Sequence, residues 1–243
     1  MAKKINWESM LSLALKNNLA RINRNRFLAT SLAPFCTPED LNKIAFLRPE
    51  SLVEVQVLDH LGKEIVEKHL NQAALISGGA GLLGASAMWL SVPGDTLQFV
   101  TQLVIMTQKL AYLYGWDDFF FNEEPTDETI ARLSLILGYG VGVHEAKGVI
   151  MSVANDMMPN LNEAMAQEQI DKNHPIVKKT VSALSEQLLR TAVSGGLAKV
   201  LPIVGAAASG IWSYKSFRPI AERIRLLLSE IMYTRLGHQL SQK

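Results

Sequence analysis

Two residue types that bind metal ions occur at a helical spacing near the middle of the chain. His60 and Glu64 lie four residues apart, so one helix face would present both side chains to a metal ion. No His-Glu-x-x-His motif and no Glu-x-x-His repeat accompanies them. A solvated polar face explains the pair better, and we expect neither a metal ion nor a cofactor.

A glycine-rich segment resembles a nucleotide-binding motif. Gly79-Ala80-Gly81-Leu82-Leu83-Gly84 matches the pattern G-x-G-x-x-G. That pattern needs a preceding strand, a βαβ unit around it and an acid about 20 residues later. The region around Phe99 has no acid, and no pattern of parallel strands follows. The context argues against nucleotide binding, and the lack of a Walker A motif removes ATPases and GTPases from the candidate functions.

Other reactive side chains lack partners in the sequence. Cys36 precedes a predicted helix start, but no signature links it to a histidine, so we expect a structural cysteine. No G-x-S-x-G elbow is present. A hydrolase remains one alternative, which a cluster of Asp95, His144 and Asp156 around a pocket would favour.

An acidic loop is predicted over residues 117–128. It lacks the alternating acids and central glycine of an EF-hand. Asp127 and Glu128 fit the first turn of the next helix, where acids favour the helix dipole. Phe119, Phe120 and Phe121 interrupt the loop, and we expect them to form a packing plug.

Helical periodicity runs through almost the whole chain, and no alternating strand pattern exceeds a few residues. Thr37 is predicted to cap a helix that begins at Pro38, and Asp95 is predicted to cap a helix that ends at Tyr114 and Gly115. Further helices are predicted over Ile5–Ile22, Glu50–Asn71, Asp127–Lys147 and Gly148–Ile170, from Pro175 past Arg190, and from Pro219 to Gly237. The sequence predicts an all-α fold, a single multi-helix bundle with a central Gly/Ala-rich apolar hairpin.

The predicted hairpin has two interpretations. Gln72–Gly94 runs 23 residues without a charge, and a helix of that length could cross a bilayer core of about 30 Å. Its five glycines and three serines suit a buried helix in a soluble bundle instead. Alternatively, Gln72–Gly94 and Thr96–Tyr114 insert into a bilayer, as hairpins hidden in pore-forming bundles do.

Small residues recur at every fourth position in three segments. Residues four apart share a helix face, and small side chains allow two helix backbones to approach closely. We therefore predict close helix crossings at Gly81 and Gly142. The three stripes are Ala73, Ser77, Gly81 and Ala85, then Ser134, Gly138, Gly142 and Ala146, then Gly205, Ser209 and Ser213.

Residues 1–36 form a basic amphipathic segment. Six cations stand against Glu8 alone, a net charge of +5. The segment could seat on anionic lipid or pack as a solvated helix on the bundle, and the sequence supports both equally. The candidate lipid contacts are Lys3, Lys4, Trp7, Lys16, Arg21, Arg24 and Arg26.

Composition narrows the class of protein. The chain is 48% hydrophobic, which is incompatible with wholesale disorder. Its net charge of +1 argues against a nucleic-acid-binding protein. One cysteine excludes a disulfide scaffold, and with no apparent signal peptide we expect a bacterial cytoplasm.

The order of several short motifs resembles the EcsC family of bacterial proteins. A Gly/Ala-rich run is followed by Pro-Gly-Asp, then by a helix ending in Tyr-Gly, and later by a Lys-x-x-Pro-x-x-Gly motif. The same order is similar to the hydrophobic helical domains attached to some bacterial GTPases. The motif residues are Pro93, Gly94, Asp95, Tyr114, Gly115, Lys199, Pro202 and Gly205.

This resemblance assigns residues 37–243 to an EcsC-like helical domain and offers no agreed catalytic residues. The motif residues are explained as turns and caps. We expect a non-enzymatic protein, peripheral to the inner membrane, that supports transport or envelope processes through contacts with lipid or with a membrane protein such as a transporter component. The alternatives are an insertion-competent pore-forming protein and the hydrolase above.

Overall fold

The computed structural model describes residues 6–16, 20–77, 94–120, 125–156, 171–198 and 205–241, and it confirms the all-α bundle. No strand occurs in these ranges. A 3-10 turn at Pro49–Ser51 precedes α4. The helices are α1 (Trp7–Lys16), α2 (Arg24–Leu32), α3 (Pro38–Asn42), α4 (Val55–Ser77), α5 (Gly94–Leu113), α6 (Asp127–Gly140), α7 (Ala146–Asp156), α8 (Pro175–Ala198) and α9 (Gly205–Ser241).

Side-chain caps fix several helix starts. Thr37 accepts a hydrogen bond from the backbone N–H of Asp40, whose carboxylate accepts from the backbone N–H of Thr37, so the predicted cap is confirmed as a reciprocal capping box. Thr126 caps α6 by accepting a hydrogen bond from the backbone N–H of Thr129. These bonds satisfy donors that a helix N-terminus otherwise leaves without partners.

The predicted helix over Ile5–Ile22 is shorter in the structure, since α1 ends at Lys16 and the connection at residues 20–23 is not α-helical. Gln108 of α5 binds this connection from inside the bundle: its Nε2 donates to the Ala20 carbonyl at 2.8 Å, and its Oε1 accepts from the Ile22 N–H at 3.0 Å. Asn23 then caps α2, a helix that the sequence analysis did not predict. A buried amide side chain therefore replaces helix hydrogen bonds at this turn.

The core forms where α4, α5 and α9 meet. α4 packs along α9, and α5 contacts α1, α2, α4, α6, α8 and α9. The predicted inner face of the last helix is confirmed, since Ile220, Ile224, Leu227 and Ile231 are buried. α5 is buried over most of its described circumference, as predicted, and its polar residues Thr107 and Gln108 are fully enclosed.

The last helix begins earlier and ends later than predicted. α9 is continuous over Gly205–Ser241, with Pro219 inside it and Gly237 well before its end. An interior proline removes one hydrogen bond and costs about 3 kcal/mol in an isolated helix. Here Phe217 and Ile220 flank it and are buried in the core, so packing on both sides holds the helix together.

α1 and α2 belong to the same core as the later helices. Trp7 is fully buried, its backbone N–H donates to Ser185 Oγ, and its indole N–H donates to Ser134 Oγ at 2.9 Å. Leu11, Leu15 and Leu28 are buried in the same hydrophobic core as Trp7. Packing continues across residue 36, where we placed a domain boundary.

The predicted helix over Asp127–Lys147 is interrupted between α6 and α7. Gly142 adopts φ +110°, a conformation that favours glycine, and its N–H donates to the Tyr139 carbonyl. The prediction of a close helix crossing at Gly142 is therefore wrong. The close approach occurs one turn earlier, where a Cβ on Gly138 would overlap Cβ of Thr180 in α8. The corresponding prediction for Gly81 lies outside the described residues.

We expect Gly138→Ala to lower the free energy of unfolding by about 1–3 kcal/mol, because its new methyl group overlaps Thr180. Gly142→Ala should cost about 1 kcal/mol through its positive φ alone, since only Arg223 Nη1 lies near, at 3.9 Å. Denaturant titration measures both values.

Gly148→Ala is the matched control. Gly148 lies in α7, and among the described residues no atom beyond its chain neighbours and its own helix backbone lies within 4 Å of the position that an alanine methyl group would take, so alanine should stabilise the helix by about 0.5–1 kcal/mol. Equal stabilities of the Gly138 and Gly148 variants would contradict the close crossing of α6 and α8.

Candidate functional site

The Tyr-Gly motif at the end of α5 lies where α4, α5 and α9 converge. The Tyr114 hydroxyl donates to Oδ1 of Asp59 in α4 at 3.3 Å. From α9, Ser229 donates to the same oxygen at 2.9 Å and Tyr233 donates to Oδ2 at 2.7 Å. Burial, reinforced by the negative charge of Asp59, raises the pKa of Tyr114 to about 12. One carboxylate therefore binds three hydroxyl groups and joins three helices.

Gly115 follows in a left-handed conformation, with φ +84°. A Cβ here would overlap Arg235 Nη2 and stand 2.7 Å from Glu50 Oε2. Arg235 binds Glu50 Oε1 at 2.5 Å and the Tyr114 carbonyl at 2.9 Å. Both the backbone angle and the space therefore require glycine at this position.

Arg24 anchors α2 to the same end of the bundle. Its Nε donates to the Trp116 carbonyl at 2.9 Å and its Nη1 to the Ile44 carbonyl at 3.1 Å. Burial lowers the pKa of Arg24, and the charge of Asp117 partly opposes this. The predicted plug residue Phe119 is buried and stacks on Trp116 with centroids 6.2 Å apart.

Among the described residues around Tyr114, no pair of a serine and a histidine base is formed. Ser229 donates to the Asp59 carboxylate, which also accepts from Tyr114 and Tyr233. Within the described ranges, no group of three His, Cys, Asp or Glu side chains could hold a metal ion. The geometry fits a structural junction, in agreement with the prediction that Tyr114 and Gly115 form a turn and helix end.

The remaining motif residues are placed only in part. Gly94 begins α5 and Gly205 begins α9. Asp95 lies in the first turn of α5 with only its backbone described, so its role as a cap stays a prediction. Pro93, Lys199 and Pro202 lie outside the described residues, as do the glycine motif at 79–84 and the middle of the predicted hairpin, residues 78–93.

The candidate lipid contacts of the N-terminal segment separate into buried and exposed residues. Trp7 and Arg24 are enclosed by the bundle, so lipid cannot reach them in this fold. Arg21 is partly buried, donates to the Leu15 carbonyl and lies over the Phe120 ring at 5.6 Å. Lys16 and Arg26 are exposed, and Lys3 and Lys4 lie outside the described residues.

The other candidate reactive residues whose side chains are described do not converge. Both side chains of His60 and Glu64 are exposed, with Nε2 3.3 Å from Oε1, as expected of a solvated face. Cys36 is partly exposed, and burial, followed by the charge of Asp40, raises its pKa. His144 is exposed with its ring edge-on to Tyr139, and the side chain of Asp156 is not described.

The sequence analysis missed an exposed apolar loop on both sides of α3. Phe46 is 88% exposed, Phe35 46% and Leu47 39%. We call these three residues the apolar loop. α3 is only five residues long, so these apolar residues flank it instead of lying on a longer helix.

A buried histidine between α4 and α5 also went unnoticed. His69 is 2% exposed, its Nδ1 lies 2.9 Å from Gln102 Oε1, and its Nε2 lies 3.2 Å from Lys109 Nζ. The Gln102 oxygen can only accept, so Nδ1 donates to it and Nε2 accepts from Lys109. Burial, reinforced by the charge of Lys109, lowers the pKa of His69 to about 4. The imidazole is therefore neutral at physiological pH.

Neither the helices nor the comparisons with known proteins assign a function directly. No helix in the described part of the chain has the length and apolar character needed to cross a membrane. The chain matches no protein-family model, no curated protein and no solved structure.

Proposed function

We propose that the chain is a non-enzymatic helical protein that binds a membrane surface peripherally, on the cytoplasmic side of the inner membrane, and supports transport or envelope processes. The observation that carries this proposal is the apolar loop, above all the 88% exposed Phe46. The resemblance to the EcsC family remains part of the proposal.

The loop has the composition of an interfacial anchor. Large apolar side chains partition into the boundary between headgroups and acyl chains, and nearby cations attract anionic lipid. Lys43 and Arg26 are exposed on the elements around the loop. Ala33, Pro34 and Ala45 are exposed beside the three large side chains, which extends the uncharged surface.

The proposed anchor differs from the N-terminal segment, for which the sequence left lipid contact and packing on the bundle equally open. Trp7, the aromatic residue of the N-terminal segment, is committed to the core through its bond to Ser134. Arg24 is committed in the same way. Phe35 and Phe46 take the place of Trp7 as the aromatic side chains that lipid can reach.

We expect the full chain to float with vesicles of phosphatidylglycerol and phosphatidylcholine, and Phe46→Ser to weaken that binding. Withdrawing one phenylalanine side chain from an apolar environment costs about 2 kcal/mol, which corresponds to a roughly tenfold or larger loss of affinity. Flotation over a range of lipid concentrations measures the change.

Leu226→Ser is the matched control, because Leu226 is an apolar side chain, 55% exposed, on α9. It should leave flotation unchanged. Flotation of Lys16→Gln and Arg26→Gln over a range of salt concentrations measures the electrostatic contribution to membrane binding. Salt screens that contribution over a Debye length of about 10 Å. Failure of the parent chain to float under any condition, or equal losses in both serine variants, would exclude the proposed contact.

A further inference from the structure

The positive charge of Lys109 has no carboxylate beside it in the described part of the chain. Its Nζ contacts His69, which is neutral and cannot offset the charge. The sequence has no Asp or Glu from Lys68 to Gly94 or from Thr96 to Trp116. Burial lowers the pKa of Lys109, and the nearby charge of Lys68 lowers it further.

Acids on the neighbouring turns of α4 are already engaged. Glu67 binds Arg218 of α9 at 3.0 Å, and Glu64 binds His60. A partly buried ammonium group without a counter-charge is unfavourable, because it has lost water without gaining an anion. Elsewhere in the chain, Lys147 at the surface does have a counter-charge, since it binds both carboxylate oxygens of Glu230 at 2.7 and 2.8 Å.

We propose that Lys109, Lys68 and His69 form a binding site for a phosphate group, carried by a lipid headgroup or by a free phosphate. Two ammonium groups match the charge of a phosphate dianion better than that of a single carboxylate. His69 is a positioning residue here. It accepts one N–H of the Lys109 ammonium, and the other two N–H groups of that ammonium remain for the ligand.

The site is separate from the apolar loop. His69 lies about 20 Å along α4 from the first residue of that helix, given a rise of about 1.5 Å per residue, and the apolar loop precedes that helix in the chain. Phosphate binding does not depend on the proposed membrane contact, so either proposal can fail while the other stands.

The first test compares thermal unfolding of the full chain in inorganic phosphate and in chloride at equal ionic strength and neutral pH. A ligand that binds the folded state raises the unfolding midpoint in a saturable way. We expect phosphate to raise the midpoint of the parent chain and of Lys147→Met, the matched control. Lys109→Met should lose this shift, and Lys68→Met should reduce it.

A second measurement needs no variant that alters the site. The ring resonances of His69, assigned by comparison with His69→Gln, should move with phosphate concentration in the parent chain and saturate at the concentrations that raise its unfolding midpoint. Equal midpoint shifts in the parent and in Lys109→Met, or His69 resonances that do not move, would overturn a free phosphate as the ligand.

Vesicles of phosphatidic acid in phosphatidylcholine distinguish the two phosphate sources. A headgroup ligand predicts flotation that Lys109→Met weakens roughly tenfold and Lys147→Met leaves unchanged. A free phosphate ligand predicts the shift in unfolding midpoint together with equal flotation of all three chains. The proposal is wrong if inorganic phosphate leaves the midpoint and the His69 resonances unchanged and Lys109→Met floats like the parent.

Discussion

Arg235→Met is expected to lower the free energy of unfolding by about 3–5 kcal/mol, because it leaves Glu50 as a buried carboxylate without its cation. The side chains of Arg235 and Glu50 are only 3% and 2% exposed, and 2.5 Å separates Nη2 from Oε1. The same guanidinium binds the Tyr114 carbonyl, so the substitution also removes a partner from the end of α5. Urea titration followed by circular dichroism measures the loss.

Two controls show whether the loss comes from an unpaired charge. The double variant Glu50→Met, Arg235→Met should recover most of the stability, since replacing both members of a buried ion pair with apolar side chains is often nearly neutral. Lys147→Met breaks the exposed pair with Glu230 and should cost about 1 kcal/mol or less. If Arg235→Met costs no more than Lys147→Met, the buried pair is not a major source of stability.

The ion pair of Arg235 and Glu50 also explains why glycine follows Tyr114 in the Tyr-Gly motif. Arg235 lies far from Tyr114 and Gly115 in the chain, yet it occupies the space that a Cβ at residue 115 would need. The sequence analysis correctly placed a helix end at Tyr114 and Gly115, because glycine after a helix is a local signal. It could not identify Glu50 and Arg235 as the neighbours, because that contact depends on how α9 folds back on α5.

Local sequence signals predicted the helices well where short-range interactions set their ends and their buried faces. The cap at Thr37, the start of α8 at Pro175 and the buried face of α9 all follow from short-range rules. The errors occur where tertiary contacts override them. Gln108 binds the backbone of Ala20 and Ile22, where the predicted helix is absent, and packing around Pro219 keeps α9 continuous.

The candidate surfaces were harder to predict than the fold. Aromatic and basic residues near the N-terminus suggested lipid contact at Trp7. The same sequence pattern also fits a buried tryptophan, and in the structure the Trp7 indole donates to Ser134 inside the core. His69 and Lys109 belong to different helices, and neither has a neighbour in the sequence that marks it. Only the pairing of α4 with α5 brings their nitrogens within 3.2 Å.

His69 should make the protein less stable as the pH falls below about 6.5. Its pKa is about 4 in the folded chain, against an ordinary value of 6.5, so the unfolded chain binds the proton first. The stabilisation is complete above the unfolded pKa and is lost progressively as the pH falls toward the folded one. By linkage, we expect a loss of about 2 kcal/mol between about pH 7.5 and pH 5, and about 3 kcal/mol by pH 4.

His69→Gln isolates this contribution, because glutamine keeps a polar side chain at the site without a group that titrates in this range. Lys109 and Lys68 are the charged groups that lower the pKa of His69. Urea titrations of both chains in phosphate-free buffer, at several pH values, give the two stability curves. We expect the parent curve to fall more steeply than the variant curve, with the difference growing from near zero above neutral pH. Parallel curves would show that His69 titrates alike in the folded and unfolded chains. The assignment of a buried, neutral imidazole beside Lys109 would then be wrong.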